Sequence, residues 1–400
     1  MHTITKSLFI VVGFALFLSE AMAADNVIHV QVQLKTPRKK APRMGGPLDK
    51  VEMAIFIPDG VKHIRGAVVN PYYIKTVEQK HWREAARLWD FALIGANYFG
   101  VKQNEFGSSF QDGLKAFGEK SKHPELANIP MCFVGMSAGG GMSVRMSDEF
   151  PDRTIAAGPV CLEVGPRSEA TRKIPIITVF GERDGRQLEK LLTRLPEQRK
   201  DNAQWAIAIQ WSRRHEFHKA NNVVMTWFDR AIRARYPEKA IPLKKPVTLK
   251  QLSVKDGWLG SVEDWKTRLC EVQSWEKFTG DKTKACWFPD AYMAHTWQAF
   301  VTYRPQVKIT SPPGLGGGQP FILHEPNKDI EVSFRVDKKR VGDIDTIEIW
   351  EGDQKLKSLK EVGAVPLSFA PGIHALRVQV TYRDGSTDVS HPHTILVQRK

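Results

Sequence analysis

The stretch Gly135-Met136-Ser137-Ala138-Gly139 constrains this chain more than any other, because it follows the apolar run Met131-Cys132-Phe133-Val134 and precedes a helix-compatible segment reaching Phe150. A serine in the pattern Gly-x-Ser-x-Gly, set between a buried strand and a helix, sits on a turn sharp enough to lift its hydroxyl clear of the sheet. Gly135 and Gly139 stand two residues either side, where strand and helix nearly touch and a Cβ would clash. The helix, Ala138 to Phe150, stops before Pro151, and its first turn offers unpaired backbone N–H groups where an oxyanion would form. Ser137 is therefore the candidate nucleophile.

Strands and helices alternate around this point. Val27 to Leu34 and Val51 to Ile57 alternate apolar and polar residues, as an opening antiparallel pair would. The later strands are continuously apolar, as when helices cover both faces: 66–69, 91–96, 131–134, 156–162, 174–180 and 205–209. Helices are expected over Val77–Leu88, Ser109–Lys120, Ala138–Phe150, Arg186–Thr193 and Ala220–Arg235. Eight strands in this order, with the serine after the fifth, predict an α/β-hydrolase fold with a mostly parallel eight-stranded sheet.

That plan places an acid past the seventh strand and a base after the eighth. Phe180-Gly181-Glu182-Arg183-Asp184-Gly185 supplies Asp184, with Glu182 as its rival, and Arg213-Arg214-His215-Glu216-Phe217-His218 supplies His215, with His218 as its rival. The chain order Ser, Asp, His is the one this fold uses. In such a triad His215 takes the Ser137 proton, and Asp184 fixes the imidazole tautomer. The oxyanion hole is expected from the backbone N–H of Ala138 and one from the loop Asn70-Pro71-Tyr72-Tyr73-Ile74. Pro71 has no N–H, which leaves Tyr72 as the second candidate donor; alternatively the Tyr72 and Tyr73 rings line the pocket.

Gly135-Met136-Ser137-Ala138-Gly139-Gly140, with Met142 and Glu149-Phe150-Pro151-Asp152, resembles the elbow and following helix of the polyhydroxybutyrate-depolymerase and feruloyl-esterase group, related to carbohydrate esterase family 1. His215-Glu216-Phe217 and the later Trp227-Phe228-Asp229 resemble the end of such catalytic domains, so the likeness spans about residues 50 to 236. It implies a serine esterase acting on acetyl or feruloyl esters of polysaccharides, or on an aliphatic polyester. Beyond it, 241–304 holds Trp258, Trp265, Trp275, Trp287 and Trp297, read as the core of an extension packed on the catalytic domain. From Pro305 short alternating strands predict a β-sandwich that resembles the immunoglobulin-like or fibronectin-type modules of secreted bacterial hydrolases. The expected domains are thus a leader over 1–23, a catalytic domain over 24–240, the extension over 241–304 and an immunoglobulin-like domain over 305–400.

The leader is read from Lys6, the short apolar core Leu8 to Leu18 and the cleavage-site pattern Ala21-Met22-Ala23. It implies a secreted or periplasmic protein with no integral membrane segment after cleavage. The net charge of +14 is scattered, with one dense cluster, Arg38-Lys39-Lys40 and Arg43, read as a solvated N-terminal segment. This argues against nucleic acid as partner, while a basic surface favours acidic polysaccharide or an anionic membrane face by long-range attraction. Cys270 and Cys286 flank a polar segment and form the candidate disulfide; Cys132 and Cys161 read as reduced core residues. No spacing of cysteine or histidine suggests a metal, and no cofactor is expected. The two function classes left are a secreted serine esterase and a binding or adhesion protein on an inactive hydrolase scaffold.

Overall fold

The apolar runs form one sheet in the computed structural model, which describes residues 27–40, 45–162, 164–263, 265–267 and 269–399. The expected leader, 1–23, lies outside the described residues. Strands β1 (Val27–Gln33), β2 (Lys50–Phe56), β3 (Gly66–Asn70), β4 (Phe91–Ala96), β5 (Met131–Met136), β6 (Thr154–Val160), β7 (Ile176–Gly181) and β8 (Trp205–Gln210) lie in the order β1-β2-β4-β3-β5-β6-β7-β8. β2 runs antiparallel to β1 and β4, and the remaining neighbours are parallel. This is the strand order of an α/β-hydrolase fold. Helices α1 (Lys80–Trp89), α2 (Phe106–Ser121), α3 (Ala138–Glu149), α4 (Glu169–Arg172), α5 (Gln187–Lys200) and α6 (Asn221–Arg235) connect or follow the strands. Every residue of β4, β6, β7 and β8 is buried, which is why these runs carry no polar alternation.

Two local expectations are corrected. The helix expected to stop at Thr193 continues through Pro196 to Lys200. Proline there removes one intrahelical bond, but Leu191, Leu195 and Arg199 bury one stripe, and Arg199 Nε donates to the Ala285 carbonyl at 3.0 Å. The basic cluster is not a solvated segment throughout, since Arg38 is buried and donates to the carbonyls of Phe99 at 2.9 Å and Lys50 at 2.6 Å.

The tryptophan-rich segment forms a small sheet, β9 (Trp258–Ser261), β10 (Val272–Ser274) and β11 (Ala285–Phe288), followed by α7 (Ala291–Val301). Trp287 and Trp297 are buried in the same apolar cluster as the large sheet. The Trp297 indole N–H donates to the Ile207 carbonyl on β8 at 2.7 Å. No disulfide links Cys270 to Cys286, nor any other pair of the four cysteines. Cys286 lies within β11, and its sulfur is turned onto β8, accepting from the Ile207 N–H at 3.2 Å.

The C-terminal part is all β: β12 (Val307–Ser311), β13 (Leu323–His324), β14 (Asp329–Val336), β15 (Ile344–Glu351), β16 (Gln354–Leu359), β17 (Ala364–Ser368), β18 (Gly372–Tyr382), β19 (Thr387–Val389) and β20 (His393–Val397). One sheet has the order β12-β14-β17; the other runs β13-β20-β18-β15-β16, with β19 also on β18. Alternate residues of β14, Ile330, Val332, Phe334 and Val336, meet Ile347, Ile349, Val378 and Val380 of the other sheet in a second core.

One buried side chain ties this part to α6. Asn222, 1% exposed at the start of α6, accepts from the N–H groups of Leu315 and Thr394, both at 2.9 Å. It also donates to the Leu315 carbonyl at 2.6 Å. The Thr394 hydroxyl donates to the Asn222 carbonyl at 2.7 Å. Asn222→Ala strands two buried N–H groups and should lower stability by about 2–4 kcal/mol. A urea midpoint equal to the parent's would show that those groups find other partners.

Candidate active site

Ser137 is forced into its position by the backbone around it. It stands between β5 and α3 at φ 57° and ψ −125°, a conformation that costs a side-chain-bearing residue on the order of 1–3 kcal/mol. Its N–H donates to the Val160 carbonyl at 2.8 Å, and its carbonyl accepts from Gly141 at 3.1 Å, so strand and helix together hold the turn. A Cβ on Gly135 would stand 2.5 Å from the Gly139 carbonyl, which is why that position is glycine.

Asp184 is presented by the turn after β7, where its N–H donates to the Gly181 carbonyl at 3.1 Å. The loop after β8 crosses directly over this turn, and Arg183 donates its N–H to the Arg213 carbonyl at 2.7 Å. The close approach brings His215 Nδ1 to 2.9 Å from Asp184 Oδ1 and 3.0 Å from Oδ2. Asp184 is largely buried and His215 partly exposed. A carboxylate on Nδ1 fixes the proton there and leaves Nε2 as the basic nitrogen.

Of the rival residues, Glu182 is engaged elsewhere, whereas His218 lines the same cavity as Ser137 and His215. Glu182 accepts from the Ser212 N–H at 2.9 Å and pairs with Lys266 at 3.2 Å. His218 stands 3.9 Å from Glu216, and burial pushes its imidazole below the ordinary value, with the Arg213 charge adding to the effect. Sequence reasoning missed Cys161, which it assigned only to the core. The Cys161 sulfur donates to the Glu216 carbonyl at 3.2 Å and lies within 4.8 Å of the Asp184 carboxylate. Burial first, and then the Asp184 charge, push this thiol up to about 12, so it remains a protonated donor. No sequence signal marks it beyond its place at the end of an apolar run.

Cys161, Asp184 and His215 place their donor atoms within 4.8 Å of one another, a spacing a metal ion could use. The aspartate and histidine are already joined to each other at 2.9 Å. Ligands of one ion would aim both lone pairs at the ion instead, so the cluster fits an oriented histidine better than a metal centre.

Ser137 and His215 line one cavity of about 520 Å³, together with Asn70, Tyr72, Tyr73, Trp82 and Phe217. Tyr72 lies at the elbow: a Cβ on Gly139 would stand 2.9 Å from its Cβ. Its N–H donates to Asn70 Oδ1 at 3.2 Å. That bond occupies the asparagine oxygen and leaves the Asn70 NH2 as a further donor in the cavity. The candidate loop contained Asn70, but its side chain had no feature that set it apart. Ala138 opens α3, where an N–H has no intrahelical acceptor.

No protein-family model matches the chain, and no curated protein matches it. Among solved structures it is similar to a dienelactone hydrolase from Anabaena variabilis, 14% identical, with 51% of this chain and 96% of that one covered at a TM-score of 0.35. A cold-adapted esterase from an Arctic intertidal metagenomic library is 11% identical, with 51% and 92% covered at a TM-score of 0.36. The fibronectin(III)-like modules of Clostridium thermocellum CbhA are 25% identical, with 23% and 93% covered at a TM-score of 0.20. At such distances no activity transfers, and the chemistry of the site has to come from its own side chains. No helix among the described residues is long and apolar enough to cross a membrane.

The contact that pairs Asp184 with His215 depends on a missing Cβ. At Gly181 an added Cβ would overlap the carbonyl oxygen of Arg214 and meet that of Arg213 at 2.5 Å. Gly181→Ala should therefore destabilise by about 1–3 kcal/mol, read from the urea midpoint. An unchanged midpoint would mean that the loop after β8 yields freely.

Proposed function

We propose that this chain is a serine carboxylic-ester hydrolase with Ser137 as nucleophile, His215 as general base and Asp184 as the residue that orients it. The observation that carries the reading is the Asp184–His215 pair, 2.9 Å apart, whose histidine lines one cavity with a serine on a strained turn. His215 Nε2 removes the Ser137 proton as Oγ attacks the ester carbonyl. The tetrahedral oxyanion is held by the Ala138 N–H, with the Asn70 amide as second donor in place of the expected Tyr72 N–H, which is spent on Asn70 Oδ1. Collapse breaks the bond to the alcohol, which leaves with the proton from His215. Water, deprotonated by the same imidazole, then releases the acid and restores Ser137.

The aromatic walls formed by Tyr72, Trp82 and Phe217 favour a short or aromatic acyl group. This supports acetyl or feruloyl esters of polysaccharide, in keeping with the resemblance to the feruloyl-esterase group, over an aliphatic polyester. We also assign Met1 to Ala23 to an export leader. The C-terminal sheets are assigned to an immunoglobulin-like module.

Hydrolysis of p-nitrophenyl acetate, p-nitrophenyl butyrate and methyl ferulate by the parent and by Ser137→Ala tests the reaction. The mutant should lose several orders of magnitude in kcat, with an intact far-ultraviolet spectrum. Equal, near-background rates for both proteins would leave the binding-scaffold reading. Asp184→Asn should lower kcat by roughly 10⁴-fold with little change in KM, because it allows the wrong imidazole tautomer. A fall of less than tenfold would transfer the acid role to another carboxylate.

A further inference from the structure

The junction between the catalytic and C-terminal parts holds a groove of about 1000 Å³, larger than the cavity at Ser137. Lys219 lines one wall, and Arg304, Lys308, Arg335, Lys338 and Lys339 line the other. Asp337 is the one carboxylate among the described lining residues, and its Oδ1 is occupied by the backbone N–H of Lys339 at 3.0 Å. Nearby Asp388 is likewise taken up by backbone, accepting from Gln306 at 2.5 Å and Val307 at 2.9 Å. Six lining cations thus face one lining carboxylate, and the groove carries a net positive charge.

The fold itself gains nothing from this arrangement. Lys308 lies directly opposite Arg335 in the β12–β14 register, and both point outward between the buried pairs Val307–Val336 and Ile309–Phe334. Like charges placed directly across a strand pair destabilise it. Lys219 adds a cation from the other wall, and its ammonium is held below its ordinary pKa by burial first and then by the charges of Arg213 and Lys308.

The groove and the candidate active site both border a third hollow. A hollow of about 320 Å³ shares Trp211, Lys219 and His391 with the groove, and shares His218 with the Ser137 cavity. This hollow therefore lies between a polymer in the groove and the Ser137 cavity.

We propose that this groove binds an anionic polysaccharide, a sugar chain bearing carboxylate or sulfate groups. The binding stands on the groove alone; its placing of an ester at Ser137 rests on the hydrolase reading above. Exposed Gln306 and Thr310 supply hydrogen-bonding groups between the cations. Single-stranded nucleic acid is disfavoured because it needs aromatic faces on which bases stack. Trp211, the one large aromatic lining the groove, is 9% exposed, covered by Trp265 and Tyr303, and donates its indole N–H to the Val301 carbonyl at 2.7 Å.

The test measures binding of dextran, carboxymethyl-dextran, dextran sulfate and single-stranded oligothymidylate to the purified chain carrying Ser137→Ala, which removes hydrolysis from the readout. At least one anionic dextran should bind, more weakly as salt is raised, and neutral dextran should not; the tighter of the two anionic polymers identifies the acid group. Lys308→Glu should weaken that binding roughly tenfold. Its thermal midpoint should equal or exceed the parent's, since the substitution turns a repulsive cross-strand pair into an attractive one. Lys239→Glu, on an exposed turn after α6, should bind as the parent does. Failure of both anionic dextrans, equal binding by neutral dextran, unchanged affinity in Lys308→Glu, or tighter binding of oligothymidylate would each overturn the proposal. Retained polymer binding alongside a parent chain inactive on simple esters would sink the hydrolase reading alone.

Discussion

The backbone turn at Ser137 requires three chain segments to meet more closely than side chains allow, and much of the molecule is arranged around that demand. β5 must end in the middle of the sheet, α3 must begin at once, and β6 must lie near enough for Val160 to accept the serine N–H at 2.8 Å. The absence of a side chain at Gly135, Gly139 and Gly140 makes the approach possible, and Tyr72 closes over it from the loop after β3. The same device recurs at Gly181, where the loop after β8 lies against the end of β7. Two such close crossings bring Ser137, Asp184 and His215 to a common edge, although 47 positions separate the first two and 31 the second two in the chain (184 − 137 and 215 − 184).

The C-terminal part is joined to this edge rather than hung from the far side. Asn222 clamps the loop at Leu315 and the strand at Thr394 to the start of α6, the helix that follows the His215 loop. The glycine-rich turn after Leu315 reaches further, with the Gly317 N–H on the His218 carbonyl at 3.1 Å and Gly316 so close that a Cβ would overlap that oxygen. A second tie runs through Tyr292 of α7, whose hydroxyl accepts from the Ala375 N–H at 2.8 Å and donates to Glu351 at 3.2 Å. Because these bonds are buried or half-buried, losing one leaves polar groups unpaired, and the cost exceeds that of an exposed contact. The module thereby buttresses the loop that carries the candidate base.

The parts of this architecture that depend on local pattern were legible in the sequence. Strand runs such as 91–96 and 205–209 need only apolar side chains, and the elbow needs only its glycines and a serine. What depended on distant partners was not legible. The short strands β9 to β11 carry no periodicity of their own and are specified by tryptophans packed on β8. Cys286 reads like half of a disulfide until β11 turns it onto Ile207. α5 crosses Pro196 because burial of Leu195 and Arg199 outweighs one lost bond, a balance invisible to a rule that stops helices at proline. Asn70, Asn222 and Cys161 look ordinary in the chain; each matters for a neighbour at a distance.

An inert scaffold and a hydrolase make different demands on the same edge. A scaffold has no need of a strained serine, and replacing it by glycine would relieve a cost on the order of 1–3 kcal/mol. Nor does it need a carboxylate held on one nitrogen of a part-exposed histidine, since a surface ion pair adds little to stability. Ser137 and His215 line one aromatic-walled cavity, where each feature is costly or neutral for folding and fits the proposed acyl transfer. The excess cations of the neighbouring groove follow the same logic. Lys308 opposite Arg335 is an arrangement that folding alone disfavours, and it lines a groove that borders a hollow shared with the Ser137 cavity through His218. When departures from the most stable arrangement gather in neighbouring cavities, a shared ligand accounts for all of them more simply than separate packing accidents do.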